Sequence, residues 1–418
     1  MKAEIIAVGS ELLTPDRQDT NSLFLTAQLN RLGIEVVRKT IVGDEPESLA
    51  RAFRSALELA EVVVASGGLG PTEDDLTRET LAAVLRHPLV QNEEILKDIE
   101  GKFDRMGRRM PQINVKQALV PVGATVLPNP RGTAPGLWVE DGKRLVILLP
   151  GPPSELEPLF VEQVTPRLEL RSTGPRLYTR DLRTTGMGES AVDQAIAPIY
   201  KGYHDVQTTL LHVPGEIQIH LRLWSEETAA AVRQLDEIVE RIARALGDIL
   251  FTTTGEEIEQ VVARELTWHG ATIAVAESCT GGMLGERLTR QPGSSSHFAG
   301  GVISYANELK TAWLDVPAEL IESKGAVSAE VARAMAENVR RRSGATLGLS
   351  VTGIAGPTGA TEEKPVGTVH MALADAKETK EKMIRFPGDR GRIRAQATVA
   401  ALDMVRRYFL AMRTPAKQ

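Results

Sequence analysis

Two places in this chain carry the same pattern: a short apolar run, a turn rich in glycine and hydroxyl residues, and the start of a helix. Val62–Ala65 leads into Ser66-Gly67-Gly68-Leu69-Gly70-Pro71-Thr72-Glu73-Asp74-Asp75, with a helix expected from about Leu76. Ala271–Val275 leads into Ala276-Glu277-Ser278-Cys279-Thr280-Gly281-Gly282, with a helix expected from Met283. A strand without polar alternation is buried on both faces, as parallel strands are when helices cover each side of a sheet. At the following helix start, free backbone N–H groups and the helix dipole favour negative charge. Such a turn either grips a phosphate or sets a nucleophile beside an oxyanion hole.

The pattern spreads through both ends of the chain. Strand signals at Glu4–Val8, Val36–Val42 and Leu145–Leu149 alternate with helices expected from about Asn21 to Leu32 and from Pro46 to Ala60. Gly33 is placed as a helix stop. From about Thr254 the rhythm returns, with a helix over Ile258–Trp268 and strands over Val302–Tyr305 and Leu347–Val351. Helices follow over Asn307–Trp313 and Ser328–Arg342, the latter capped by Ser328. Two strands, Gly367–Ala374 and Glu381–Phe386, precede a final helix over about Gly391–Met412. Between these regions, Arg176–Leu250 reads as a strand, a helix, two strands joined at Pro214-Gly215, and a long helix. Its alternating strands suit half-exposed antiparallel pairing. The fold class is therefore α/β: two three-layer α/β/α domains joined by a small α+β module.

A chain of 418 residues exceeds a single core. With 49 basic against 55 acidic side chains, and aromatics at 4%, it lacks the basic, aromatic surface of a nucleic-acid binder. A single cysteine, Cys279, excludes an intramolecular disulfide and a thiolate zinc site. Met1–Val8 has neither the length nor the cleavage site of a signal peptide, and no apolar stretch reaches membrane-spanning length. A cytoplasmic location is expected.

In the last region three turns at strand ends converge in an open α/β sheet. They are Ser278 with Thr280, Gly281 and Gly282; Tyr305 and Asn307 with Lys310; and Thr352-Gly353 running to Gly356. A serine nucleophile needs a base, and no histidine lies in these turns, so Lys310 is the candidate. A lysine is a base only when neutral, which requires burial or a neighbouring cation. The alternative is a helix-capping serine and a solvated lysine. Cys279 is a rival nucleophile with no evident partner base; otherwise it is a small packing residue. Arg390, Arg392 and Arg394 place cations at a helix start, where the dipole disfavours them by roughly 0.3–1 kcal/mol each. Either a bound anion or local carboxylates such as Asp389 compensate. In the first region, the Gly67–Asp75 turn joins glycines able to approach phosphate with hard oxygen ligands for a divalent cation. Helix capping by Asp74 or Asp75 is the plainer alternative.

Taken together, these motifs resemble the CinA family (competence/damage-inducible proteins) over essentially the whole chain. The segments that carry the likeness are Ala276–Gly282, Ser304-Tyr305-Ala306-Asn307 with Lys310, Gly325-Ala326-Val327-Ser328, Thr352–Pro357, Ser66–Thr77 and Pro150-Gly151-Pro152-Pro153-Ser154-Glu155. The resemblance implies a molybdopterin-binding-like domain over 1–172, a KH-like connecting module over 173–252 and a nicotinamide mononucleotide deamidase domain over 253–418. It implies Ser278 as nucleophile, assisted by Tyr305 and Lys310. Thr280, Gly281, Gly282, Asn307, Thr352, Gly353, Gly356 and Arg390 would bind substrate, with no cofactor. In the first domain it implies a metal-dependent ADP-ribose pyrophosphatase. Gly67, Gly68, Gly70 and Thr72 would cradle the substrate, and Asp44, Asp74 and Asp75 would hold the divalent ion. Alternatively, that domain is a non-catalytic nucleotide or pterin sensor. The expected partners are those small nucleotides and a second copy of the chain, with no membrane; a nucleic-acid partner, suggested by the KH-like centre, is the disfavoured alternative.

Overall fold

In the computed structural model, which describes residues 1–172 and 174–413, the runs before the two glycine-rich turns become strands and both turns lead to helices. Residue 173, where the second module is expected to begin, lies outside the described residues, as do 414–418.

The first domain alternates β1 (Lys2–Val8), α1 (Asn21–Arg31), β2 (Glu35–Val42), α2 (Pro46–Leu59), β3 (Val62–Ser66) and α3 (Thr77–Leu85). A small β4 (Leu89–Gln91) and β5 (Leu119–Pro121) pair across α4 (Glu93–Arg105). β6 (Thr125–Leu127), β7 (Gly136–Asp141) and β8 (Arg144–Leu149) follow, then α5 (Pro153–Leu159) and α6 (Thr165–Glu169). The main sheet runs β2-β1-β3-β8-β7-β6, parallel through β8 and antiparallel at β7 and β6. Successive side chains serve opposite cores. Ala3 and Ile5 pack with Leu25 and Leu29 of α1 and Leu156 of α5. Ile6 and Val8 pack with Leu49 and Phe53 of α2 and Leu81 of α3. This two-sided burial is why the run reads apolar throughout.

The connecting module comprises β9 (Arg176–Thr185), α7 (Glu189–Tyr200), β10 (Val206–Val213), β11 (Glu216–Ser225), α8 (Thr228–Leu246) and β12 (Leu250–Thr252). Its sheet order is β10-β11-β9-β12, and β10 and β11 form the antiparallel hairpin expected around Pro214-Gly215.

The last domain runs α9 (Ile258–Trp268), β13 (Ile273–Glu277), α10 (Met283–Thr289), β14 (Phe298–Ile303), α11 (Asn307–Leu314), α12 (Ala318–Lys324), α13 (Ala329–Ser343), β15 (Leu347–Gly353), β16 (Thr368–Ala374), β17 (Thr379–Arg385) and α14 (Arg390–Arg413). The sheet order is β14-β13-β15-β16-β17. β14, β13 and β15 are parallel; β16 and β17 are antiparallel. Ile273 and Val275 face a core with α9, α10 and α14, whereas Ala274 and Ala276 face α11, α12 and α13. β13 therefore lies between β14 and β15 with crossovers on opposite faces, and its carboxyl end opens at the switch point of the sheet.

Several boundaries differ from the sequence reading. The strand expected over Val302–Tyr305 is the end of β14, which stops at Ile303, so Ser304 and Tyr305 stand beyond the sheet edge. The strand before the Ser278 turn is displaced by two residues and ends with a charged residue, Glu277. A buried glutamate was hidden from the apolar pattern because backbone N–H groups, not water, satisfy it.

Candidate active site

Three turns meet at the carboxyl ends of β13, β14 and β15. The turn after β13 presents Ser278, which is nearly buried. Its N–H donates to the Val351 carbonyl at 2.9 Å, tying the turn to β15. Glu277, 1% exposed, folds back under the turn. Its carboxylate accepts from the N–H groups of Gly282 (2.9 Å), Leu284 (3.1 Å) and Gly285 (2.9 Å). Gly281 N–H donates to the Ser278 carbonyl at 3.1 Å. The start of α10 is thus already filled by a protein carboxylate. Gly281 and Gly282, taken from the sequence as anion-binding, spend their N–H groups inside the turn. Gly282, with φ 98°, lets the chain turn into the helix. No acceptor is found for the Thr280 N–H among the described residues, and the buried Thr280 hydroxyl is likewise unpartnered.

Lys310 reaches this turn from α11. It is 1% exposed, and burial pushes its ammonium below the usual lysine range. Its Nζ lies 3.2 Å from Ser278 Oγ, 2.7 Å from the Ser304 carbonyl and 3.2 Å from the Tyr305 carbonyl. The structure thus brings together the two side chains paired from the sequence, 32 positions apart, and Tyr305 lies beside them. The Tyr305 ring is 56% exposed, and its hydroxyl accepts from Arg390 Nη2 at 2.7 Å. Tyr305 meets the lysine through its backbone carbonyl. Because Ser304 and Tyr305 lie beyond the strand, their carbonyls are free of the ladder and available to Lys310.

The remaining expected residues divide. Thr352 is buried, and its hydroxyl donates to the Ala326 carbonyl at 2.8 Å, so it joins the third turn to the segment before α13. Gly353 is forced: a Cβ there would stand 2.7 Å from Val369 Cγ2 and 3.1 Å from Cys279 Sγ. The Gly356 carbonyl accepts from Arg390 Nη1 at 2.9 Å. Asn307 is exposed at the start of α11. Burial pushes the Cys279 thiol up to about 11, which removes it as a nucleophile near neutral pH. Among the described residues the guanidinium groups at the start of α14 bond neutral acceptors, and Asp389 meets only the backbone there. Asp389 Oδ1 accepts from the Arg392 N–H at 2.8 Å, and Arg390 and Arg394 brace the site loops. Arg394, singled out in the sequence only as a cation at a helix start, and Glu277, given no role there, also belong to the site. Both act on the backbone of the turn, and the arginine comes from 114 positions away.

The first domain builds its turns differently. The carboxyl ends of β1, β3 and β8 open on a cavity of about 670 Å³. Gly67, Gly68, Gly70, Asp44, Asp74 and Asp75 all line it; Thr72 is not among the lining residues. The glycines are required sterically. A Cβ on Gly67 would stand 2.2 Å from the Val8 carbonyl oxygen, and one on Gly68 2.1 Å from Thr77 Oγ1. Among the described residues the Gly68, Leu69 and Gly70 N–H groups have no acceptor. Buried Arg78 fixes the loop from behind, donating to the Leu69 carbonyl at 3.0 Å and the Lys116 carbonyl at 2.8 Å. Asp75 does not cap α3; its Oδ2 accepts from the Thr72 N–H at 2.9 Å. Asp44 Oδ2 accepts from the Ser10 N–H at 2.8 Å. Among the described residues no three His, Cys, Asp or Glu side chains come together as a ready metal cage.

Comparison with known proteins finds three family models along the chain. Residues 4–170 match the probable molybdopterin binding domain, 179–252 the damage-inducible protein CinA KH domain, and 255–409 the CinA C-terminal domain. A CinA-like protein of Solibacter usitatus is 48% identical, covering 97% of this chain and 98% of its own. The chain belongs to the CinA family. A putative competence-damage inducible protein of Acetivibrio thermocellus is 42% identical, over 99% of this chain and all of its own. A crystal structure of a CinA protein of unknown function from Thermoplasma acidophilum is 38% identical, with a TM-score of 0.37, covering 40% of this chain and 96% of that one. MoaB of Thermus thermophilus, 20% identical with a TM-score of 0.28, covers 41% of this chain and 96% of its own. No helix among the described residues is long and apolar enough to cross a membrane.

Proposed function

We propose that the carboxy-terminal domain is an amidohydrolase that converts nicotinamide mononucleotide to nicotinate mononucleotide and ammonia. The observation that carries this reading is the surroundings of the Lys310 amine. A neutral amine has two N–H donors and one lone pair. The Ser304 and Tyr305 carbonyls lie within reach of both donors, which leaves the lone pair for the Ser278 hydroxyl. Ser278 Oγ attacks the carboxamide carbon, and its proton passes to Lys310 Nζ. The carbonyl oxygen becomes an oxyanion, for which the unspent Thr280 N–H is the donor in this proposal. Lys310 returns the proton to the departing nitrogen as the C–N bond breaks, giving ammonia and an acyl-serine. Water then attacks the ester with Lys310 as base, and Ser278 is regenerated with its proton. The amide chemistry rests on the Ser–Lys geometry, and the choice of nucleotide rests on the family resemblance. Ammonia release from nicotinamide mononucleotide by the full chain, lost in Ser278→Ala, tests it; retained turnover in that variant would sink the serine mechanism.

For the amino-terminal domain we propose hydrolysis of the ADP-ribose pyrophosphate with a divalent ion. The cavity joins unspent glycine N–H groups, suited to phosphate oxygens, to an acidic wall that would repel a bare pyrophosphate. A magnesium-type ion takes one or two carboxylates and completes its shell with water and substrate oxygens. Asp44, Asp74 and Asp75 fit that use; they do not fit an all-protein cage. Such an ion, when bound, would neutralise the pyrophosphate and polarise it. The Gly68–Gly70 backbone would orient the phosphates, and Arg78 would hold that backbone in place. The rival reading, a sensor that binds nucleotide or pterin without turnover, draws on the same cavity. Product formation separates the two. A homodimer is part of the proposal, and light scattering of the purified chain tests it.

A further inference from the structure

Arg394 lies outside the reacting groups, yet it holds the peptide on which an oxyanion hole would depend. Its Nε donates to the Cys279 carbonyl at 3.0 Å, and its Nη2 donates to the Thr280 carbonyl at 2.7 Å. A trans peptide is planar, so its N–H points opposite to its C=O. Fixing the Cys279 carbonyl against Arg394 therefore fixes the Thr280 N–H in the reverse direction, away from α14. That N–H follows the nucleophile by two positions and has no acceptor among the described residues. The next peptide is held as well, by Arg394 at the Thr280 carbonyl and by the Gly281 N–H on Ser278. On the far side Glu277 takes the Gly282, Leu284 and Gly285 N–H groups. The turn is thus clamped between a guanidinium on its carbonyls and a carboxylate on its N–H groups. A guanidinium suits this task because its rigid planar fork fixes the direction of both bonds, whereas an ammonium carries rotatable donors on a flexible stem.

We infer that Arg394 is a positioning residue for the amide hydrolysis, orienting the Thr280 N–H toward the oxyanion formed when Ser278 attacks. This rests on the amidohydrolase reading, and its role differs from substrate binding. Arg394→Ala should lower kcat about 10²-fold, the usual cost of losing one oxyanion donor. KM should move by no more than about threefold, because the interaction strengthens only in the transition state. Arg394→Lys, which keeps the charge without the fork, should recover only part of the loss. Added ethylguanidinium should restore turnover to Arg394→Ala and leave the wild type unchanged. A fluorophosphonate probe, whose phosphoryl oxygen enters the same hole, should label Ser278 about 10²-fold more slowly in Arg394→Ala.

Thermal melts of both variants against the wild type report folding, and Arg394→Lys serves where the alanine variant is unstable. Turnover and labelling within about twofold of wild type in folded variants would overturn the inference while leaving the serine mechanism intact. A loss confined to KM would overturn it in favour of substrate binding. A wild-type chain that neither releases ammonia nor takes the probe would overturn the amidohydrolase reading itself and this inference with it.

Discussion

The two end domains solve one topological problem in opposite ways. Each sheet sets its first strand between the second and third, and each opens its turns at the carboxyl ends of those strands. In the carboxy-terminal domain the crevice is packed with protein charge. Glu277, Lys310 and Arg394 bond the turn backbone or the Ser278 hydroxyl, and little of the turn remains unspent. In the amino-terminal domain the crevice is an open cavity, with idle glycine N–H groups and with Asp44 and Asp75 accepting from loop N–H groups. A site that makes and breaks a covalent bond to its own side chain benefits from preorganisation. A site whose catalyst is an ion arriving with the substrate must leave room for both.

That contrast can be broken. Its largest consequence is in the nucleophile: Ser278→Ala should reduce ammonia release by about 10⁴-fold or more, as loss of a covalent catalyst does. ADP-ribose hydrolysis should be unaffected. Parallel loss of both activities, with the fold intact, would show that the domains do not work independently. Metal removal should divide them the other way. Chelator should abolish phosphate-ester product from ADP-ribose while ammonia release stays within about twofold, and Asp75→Asn should cost at least about tenfold in the former activity alone. Full pyrophosphatase activity in chelator would remove the reason for the open, acidic cavity.

The lysine gives a pH signature. In the proposed mechanism Lys310 acts as base only when neutral, so kcat/KM should climb as pH rises through its lowered pKa and level off above it. Stability follows the same direction. Between the folded pKa and the ordinary lysine value the unfolded chain holds the extra proton, so unfolding free energy rises with pH across that window. Relative to Lys310→Met, the wild type should therefore gain melting temperature as pH is raised toward 10; a flat or falling difference would contradict a desolvated amine. At a glycine, Gly68→Ala should destabilise the amino-terminal domain by about 1–3 kcal/mol in denaturant melts, since its φ is +64° and the new methyl meets Thr77 Oγ1. The smallest effect belongs to Cys279. With its thiol pushed up to about 11, Cys279→Ala should leave turnover within about twofold, and alkylating agents should react slowly. Rapid thiol-directed inactivation would reopen it as the nucleophile.

Much of this was legible in one dimension because the signals are local. Apolar runs without alternation announced the doubly covered strands, Ser328 capped α13 as read, accepting from the Val331 N–H, and paired glycines marked both turns. Alternating residues and Pro214-Gly215 gave the central hairpin. The segment between α3 and β8 was not read, because its strands are three to six residues long and lack a repeating pattern.

By itself the sequence determined which residue types stand at strand ends: a serine, a lysine in the turn of a neighbouring helix, and glycines where backbone must approach backbone. Those choices follow from backbone sterics and short-range hydrogen bonding, which depend on neighbours in the chain. Only the tertiary structure decided what each group spends its bonds on. It gave the α10 N–H groups to Glu277, the Tyr305 hydroxyl to Arg390 and the Tyr305 carbonyl to Lys310. It also brought Arg394 onto carbonyls over a hundred positions away. Donors and acceptors are shared among all groups that folding brings within about 3 Å, and that set is fixed by packing, not by order along the chain.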